Sequence, residues 1–137
     1  MDPLSIAAAC LSIIGAIDKA STAITGFVRT FRDTRQDLTT ISKQLTELAM
    51  ILDLLREEND GAEADGRVPE SLKRQILSVL SNCGAILDQL DVMMDKHQGK
   101  IGAAKWALSG RDTAAALNKQ LAAHIQALNL ALEVSTL

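Results

Sequence analysis

Leu38, Ile41, Leu45, Leu48, Leu52 and Leu55 stand at alternating steps of three and four, and that spacing leaves few folds open. On a 3.6-residue helix such positions stack into one stripe, whereas a strand would scatter them over both faces. The pattern recurs. Leu72, Ile76, Val79, Cys83, Ile86, Leu90, Met93 and His97 form a second seam, and Leu117, Leu121, Ile125, Leu128 and Leu132 a third. Near the start of the chain, Ile14, Ile17, Ser21, Ile24, Val28 and Phe31 form a fourth. Ile6, Cys10, Ile13, Ala16 and Ala20 add a second apolar face beside it. The apolar share is 47%, yet its only aromatic residues are Phe27, Phe31 and Trp106. The core material is therefore Leu, Ala and Ile, not the aromatic side chains that sheets favour.

Four seams in 137 residues predict an all-α, antiparallel up-down four-helix bundle, with room for a short extra helix near Trp106. Residues 1–137 read as a single domain. Asp2-Pro3 is a helix start, with Asp as cap and Pro at the first helical position, where its missing N–H costs nothing. Asp33 followed by Gln36 fits a capping pattern and suggests a break near residues 32–34; one long bent helix is the alternative. "EENDGAEADGRVPE" is a solvated acidic loop, and Pro69 opens the third helix. Gly99, Gly102 and Gly110 frame the next connection, and Ser109 with Asp112 fits a second capping box. The last helix runs to Leu137 without a stop signal, so the chain is expected to be the N-terminal part of a longer protein.

Several function classes fall away. A net charge of −3 argues against nucleic acid as a partner. The sequence contains no HExxH, CxxC or ExxH motif, so metal-ligand spacing is absent. His97 and His124 sit on different predicted helices and read as core or helix-end residues. Cys10 and Cys83 read as buried thiols of a reducing compartment. The expectation is a domain with no catalytic residue, no metal, no cofactor and no enzymatic activity.

The opening "MDPLSIAAACLSIIGAI" is the outlier. It has no basic start, so it does not read as a signal peptide. The fourteen residues from Leu4 to Ile17 fall short of the ~20 that a membrane span needs. The segment is nonetheless apolar on more sides than an ordinary amphipathic helix. It is either core throughout, or core in one state and membrane-seeking in another. Leu4, Ile6, Leu11, Ile13, Ile14, Gly15 and Ile17 are the candidate membrane-inserting residues. Two basic clusters add to this: Arg29, Arg32 and Arg35, opposed only by Asp33, and then Lys96, Lys100, Lys105 and Arg111 around Trp106. In an up-down bundle both lie at one end, with the acidic loop at the other. Cations near an anionic leaflet are worth about 1 kcal/mol each, and Trp favours the interface. Arg29, Arg32, Arg35, Lys100, Lys105 and Trp106 are therefore the lipid-headgroup candidates. The plainer reading is that Trp106 plugs the end of the bundle and the cations solvate it.

These residues carry a resemblance. "MDPLSIAAACLSIIGAI" looks like the opening of the HeLo-like domains at the N-termini of fungal STAND (NLR-like) proteins. "DTRQDLTTISKQLTELAMILDLL" is similar to that family's second helix, and "KWALSGRDTAAALNKQLAAHIQALNLALE" resembles its ending. The family in turn resembles the four-helix bundle of the mixed-lineage kinase-like pseudokinase. The resemblance implies a membrane-targeting, membrane-permeabilising effector of programmed cell death or incompatibility. Its partners would be further copies of itself, an anionic phospholipid membrane, and a C-terminal sensor or amyloid signalling motif that drives oligomerisation. It would be cytoplasmic at rest and move to the plasma membrane on activation. The alternative is a non-lytic protein-interaction domain of a STAND or ankyrin-repeat protein.

Overall fold

A computed structural model describes residues 5–59, 68–97 and 105–135, apart from the side chains of Asp33, Ala107 and Ser135. It contains four long helices: α1 (Ile6–Thr30), α2 (Arg35–Glu58), α3 (Glu70–Lys96) and α4 (Arg111–Ser135). Each is roughly 36–40 Å long at 1.5 Å per residue. All-α four-helix packing is as the seams predict. The α2 stripe is the firmest part, with Leu38, Ile41, Leu45, Leu48, Leu52 and Leu55 all fully buried. Each such side chain stabilises the fold by about 1.5–3 kcal/mol relative to exposure. Helix α3 buries more than its predicted seam, because Leu80, Leu87 and Met94 form a second row beside it.

The helix ends differ in detail from the sequence reading. Ser5, not Asp2, caps α1: its hydroxyl accepts a hydrogen bond from the Ala8 amide at 3.0 Å, satisfying one of the unpaired N–H groups of the first turn. Asp2, Pro3 and Leu4 lie outside the described residues. The break near 32–34 is present as a single 3₁₀ turn, Arg32–Thr34. Its cap is backbone-based, for Thr34 makes no side-chain cap and instead donates its hydroxyl to the Phe31 carbonyl at 2.6 Å. Helix α2 runs through Glu57 and Glu58 before Asn59 ends it, so the acidic loop starts later than expected. Ser109 does not cap α4 either; its hydroxyl donates back to the Lys105 carbonyl at 3.2 Å. The short extra helix expected near Trp106 is a π-helical turn, Trp106–Gly110, that runs directly into α4. A chain already helical there needs no cap.

Helix directions alternate. The ends of α1 and α3 and the beginnings of α2 and α4 meet around Trp106, which touches Phe27, Asp37 and His97. The neighbours are less simple. Helix α1 packs on α2 and α3, and α4 packs on the same two helices. The diagonal pairs are therefore α1 with α4 and α2 with α3. The connection from Asn59 to Pro69 joins helices across the bundle, where a plain sequential ring would join neighbours.

Candidate functional site at the junction end

The end of the bundle where α1 turns into α2 gathers the chain's aromatic residues. Phe27 and Phe31 lie 4.9 Å apart between ring centroids, and Phe27 and Trp106 lie 5.7 Å apart. His97 meets the indole edge-on at 5.4 Å. Its Nδ1 sits 2.7 Å from the Met93 carbonyl, which can only accept, so Nδ1 carries the proton in this hydrogen bond. His97 is thus a satisfied helix-end residue, as its position in the seam suggested.

Trp106 is only 2% exposed. Its N–H donates to Asp37 Oδ2 at 3.0 Å, and Arg111 Nε donates to the same oxygen at 3.2 Å. Asp37 lies in the first turn of α2, where the helix dipole favours a negative charge. One carboxylate therefore ties the start of α2 to the start of α4. Gly110 makes the indole's place. A Cβ there would stand 2.5 Å from Trp106 Cε3 and 3.1 Å from His97 Nε2, so no larger residue fits unchanged. In the closed bundle Trp106 is buried and plugs this end, so it is not at the surface with the other headgroup candidates.

The other headgroup candidates are at the surface. Arg29, Arg32, Arg35 and Lys105 are exposed at this end, as are Lys96 and Arg111; Lys100 lies outside the described residues. Arg29, Arg32 and Arg35 line one shallow cleft of about 550 Å³ with Thr25 and Val28. None of the three pairs with a described carboxylate, whereas Arg56 and Arg111 pair with Asp53 and Asp37. The end is not uniformly basic, however. A second cleft of about 380 Å³ between α1 and α3 is rimmed by the exposed Asp91 and Asp95.

The inserting candidates are less uniform. Ile6 and Ile17 are buried core residues, and Ile13 and Ile14 are half-buried. Ile13 Cδ1 lies over Gly84 of α3, 3.4 Å from where a Cβ would stand. Leu11 is 55% exposed, and Gly15 faces open space; Leu4 lies outside the described residues. The structure does not bring these residues to the cations. They occupy the half of α1 farthest from the junction. The fourteen-residue count also needs correcting: the helix runs unbroken past Asp18 and Lys19, so α1, like α3, is long and apolar enough to cross a membrane by length and composition.

Cys10 and Cys83 are free and buried. Burial pushes the Cys10 thiol up to about 11, with nearby Arg56 pulling slightly the other way, and the Cys83 thiol up to about 12. Neither is poised as a nucleophile. Among the described residues, no three His, Cys, Asp or Glu side chains are placed to hold a metal. Sequence reasoning missed Asp37, which offered no signal of a partner 69 positions away. It also missed an apolar groove of about 430 Å³ between the start of α3 and the end of α4, lined by Leu72, Ile76, Val79, Ala131 and Val134.

Fold and surfaces together define an all-α helical-bundle domain. The family described as pigment biosynthesis cluster protein PigL N-terminal matches residues 1–137, and the chain belongs to it. No curated protein and no solved structure matches the chain. A helical domain is the part of the expected resemblance consistent with this family.

Proposed function

We propose that this domain is a conditional membrane effector, held as a closed bundle at rest and attached to anionic bilayers after self-association. One observation carries the reading. The stretch from Ile6 to Ile17 bears no charge on any side, although Ala8, Leu11, Ser12 and Gly15 are exposed. An ordinary surface helix places charged residues on its outer face. A helix that omits them keeps the option of a second, apolar environment. Because the uncharged half of α1 and the cations stand at opposite ends, insertion requires α1 to leave the bundle, pivoting at the 3₁₀ turn. Arg35, Lys96 and Lys105 would meet the headgroups, and clustering would turn marginal single-copy affinity into firm attachment. Membrane permeabilisation in programmed cell death, triggered by a C-terminal region, is the narrower form of this proposal and rests on the HeLo-like resemblance. So does movement from cytoplasm to plasma membrane.

A second reading, a non-lytic interaction domain, is favoured by the apolar lining of the α3–α4 groove, since apolar grooves receive amphipathic helices.

Dye release from vesicles with and without phosphatidylserine separates the two. Deleting residues 1–17 is a poor control, because it removes Ile6, Ala9, Cys10 and Ile17 from the core. Leu11→Glu is better, since Leu11 is exposed in the closed bundle and a charge inside hydrocarbon costs about 2.5–3.5 kcal/mol. The expected result is leakage that requires phosphatidylserine and disappears in Leu11→Glu while helicity and melting temperature hold. No leakage, even from protein clustered on the vesicle, would discard the membrane reading in favour of the interaction domain.

A further inference from the structure

The two clefts at the junction end flank the same two turns of α1. Ala23, Gly26, Phe27 and Thr30 of α1 line the cleft rimmed by Asp91 and Asp95. Thr25, Val28 and Arg29 line the arginine cleft, with Arg32 just beyond the helix. At about 100° per residue these two sets point to opposite sides of α1. One side of the end of α1 thus presents guanidinium groups that pair with no described carboxylate, and the other a groove with two carboxylates at its rim.

The acidic groove has the chemistry of a cation receptor. Asp91 and Asp95 are one turn apart on α3, both are exposed, and neither forms an ion pair with a described cation. Its floor is low, because Gly26 carries no side chain and, beyond its own turn of helix, none of the described residues comes within 4 Å of a Cβ placed there. A glycine inside a helix is less favourable than alanine, and among the described residues no packing contact explains this one. The half-buried Phe31 ring stands at the edge, and an aromatic face attracts a guanidinium. Two carboxylates can take such a group in charge-assisted hydrogen bonds.

We propose that the occupant is a second copy of this chain, which inserts Arg29 and Arg32 into the Asp91–Asp95 groove of its neighbour. Charge complementarity selects the partner, and the opposite placement of the two surfaces selects the assembly. A contact between two different patches is head-to-tail, so a pair of copies keeps one free cleft of each kind, one on each copy, and the association propagates into a ring or a filament. A two-fold dimer could pair the two patches reciprocally only if they shared one face, and these two lie on opposite sides of α1. Arg35, Lys96 and Lys105 are not used in the contact. The assembly supplies the surfaces for the self-association that the membrane reading calls for, but it needs no lipid.

Sedimentation velocity of the full chain in lipid-free buffer, at low and high salt, tests it. The native protein is expected to associate at low salt and dissociate as salt screens the pairs. Two charge-reversed variants, Arg29→Glu/Arg32→Glu and Asp91→Lys/Asp95→Lys, should each associate roughly tenfold or more weakly. Mixed in equal amounts they should associate again, because each supplies the complement of the other's altered surface. Circular dichroism establishes that both are folded, and the neutral pairs Arg29→Gln/Arg32→Gln and Asp91→Asn/Asp95→Asn replace any that is not. A native chain that stays monomeric at low salt would overturn the proposal. So would variants that associate like the native protein, or reversed variants that fail to recover on mixing. Because no vesicle is present, failure here leaves the leakage result untouched, and failure of leakage leaves this one untouched.

Discussion

Helices α1 and α2 are neighbours of almost equal length, 25 and 24 residues, and they hold the bundle in different ways. Helix α2 carries charges over its outer face and drives six Leu or Ile side chains of one seam into the core at zero exposure. Helix α1 is the more apolar of the two, yet only 28% of its most apolar window is buried. It spreads small residues, such as Ala8, Ser12 and Gly15, over the surface where α2 places Lys43 and Glu47. Apolar composition is therefore no measure of attachment. What holds a helix is the number of large side chains at seam positions, because burial energy scales with the area removed from water.

The largest expected effect tests that directly. Leu48→Ala in α2 should cost about 2–5 kcal/mol of unfolding free energy. Leu11→Ala in α1 should change it by no more than about 0.5 kcal/mol, as at other exposed positions. Denaturant melts of both variants measure the difference, and equal losses would break the contrast.

The two buried thiols come next. Both keep their protons in the fold well above the ordinary value of 9.0, Cys10 to about 11 and Cys83 to about 12, chiefly through burial. The unfolded chain loses these protons first. Stability is therefore intact below about pH 9 and falls as pH rises through 11 and 12. A Cys10→Ala/Cys83→Ala variant should show a flatter alkaline melting profile than the native chain. If α1 opens locally before the rest, a thiol reagent at neutral pH should label Cys10 faster than Cys83. Equal rates would mean that α1 and α3 open together.

Two glycine substitutions should act in opposite directions. Gly110→Ala drives a methyl group into the Trp106 ring and should destabilise by about 1–3 kcal/mol. Gly15→Ala meets open space and should stabilise by about 0.5–1 kcal/mol through helix propensity alone. Thermal melts of the pair would show that α1 has room for side chains it does not carry. A loss of stability in Gly15→Ala would mean that its outer face is less free than it looks.

Much of this architecture was legible in advance, and the failures are specific. The seams named nearly every buried residue of α2 and α4, because three-four spacing is a local consequence of helix geometry. The cap of α1 is Ser5 and not Asp2, and Ser109 turns its hydroxyl back to Lys105 instead of capping α4. A short polar side chain near a helix start is a common pattern, and only the backbone shows which one is used. The described cations Arg29, Arg32, Arg35, Lys96, Lys105 and Arg111 lie at the end that the alternation of helices predicts, but no sequence pattern points to the acidic rim of Asp91 and Asp95 beside them. Those residues sat within a predicted helix, where nothing marked them as facing α1.

What the sequence determined by itself is the set of helices, the side of each that faces inward, and the alternation that brings the first and third connections to one end. These follow from periodicity and from turn residues, which act within a few positions of the chain. The tertiary structure decided which helices are neighbours, with α1 beside α3 and not α4. It decided that Trp106 is a plug whose N–H needs Asp37, and that Gly110 must be small. It also decided that two clefts of opposite charge lie back to back across α1. Each of these depends on groups distant in sequence meeting in space, and a hydrophobic stripe shows that a face is buried without showing what it is buried against.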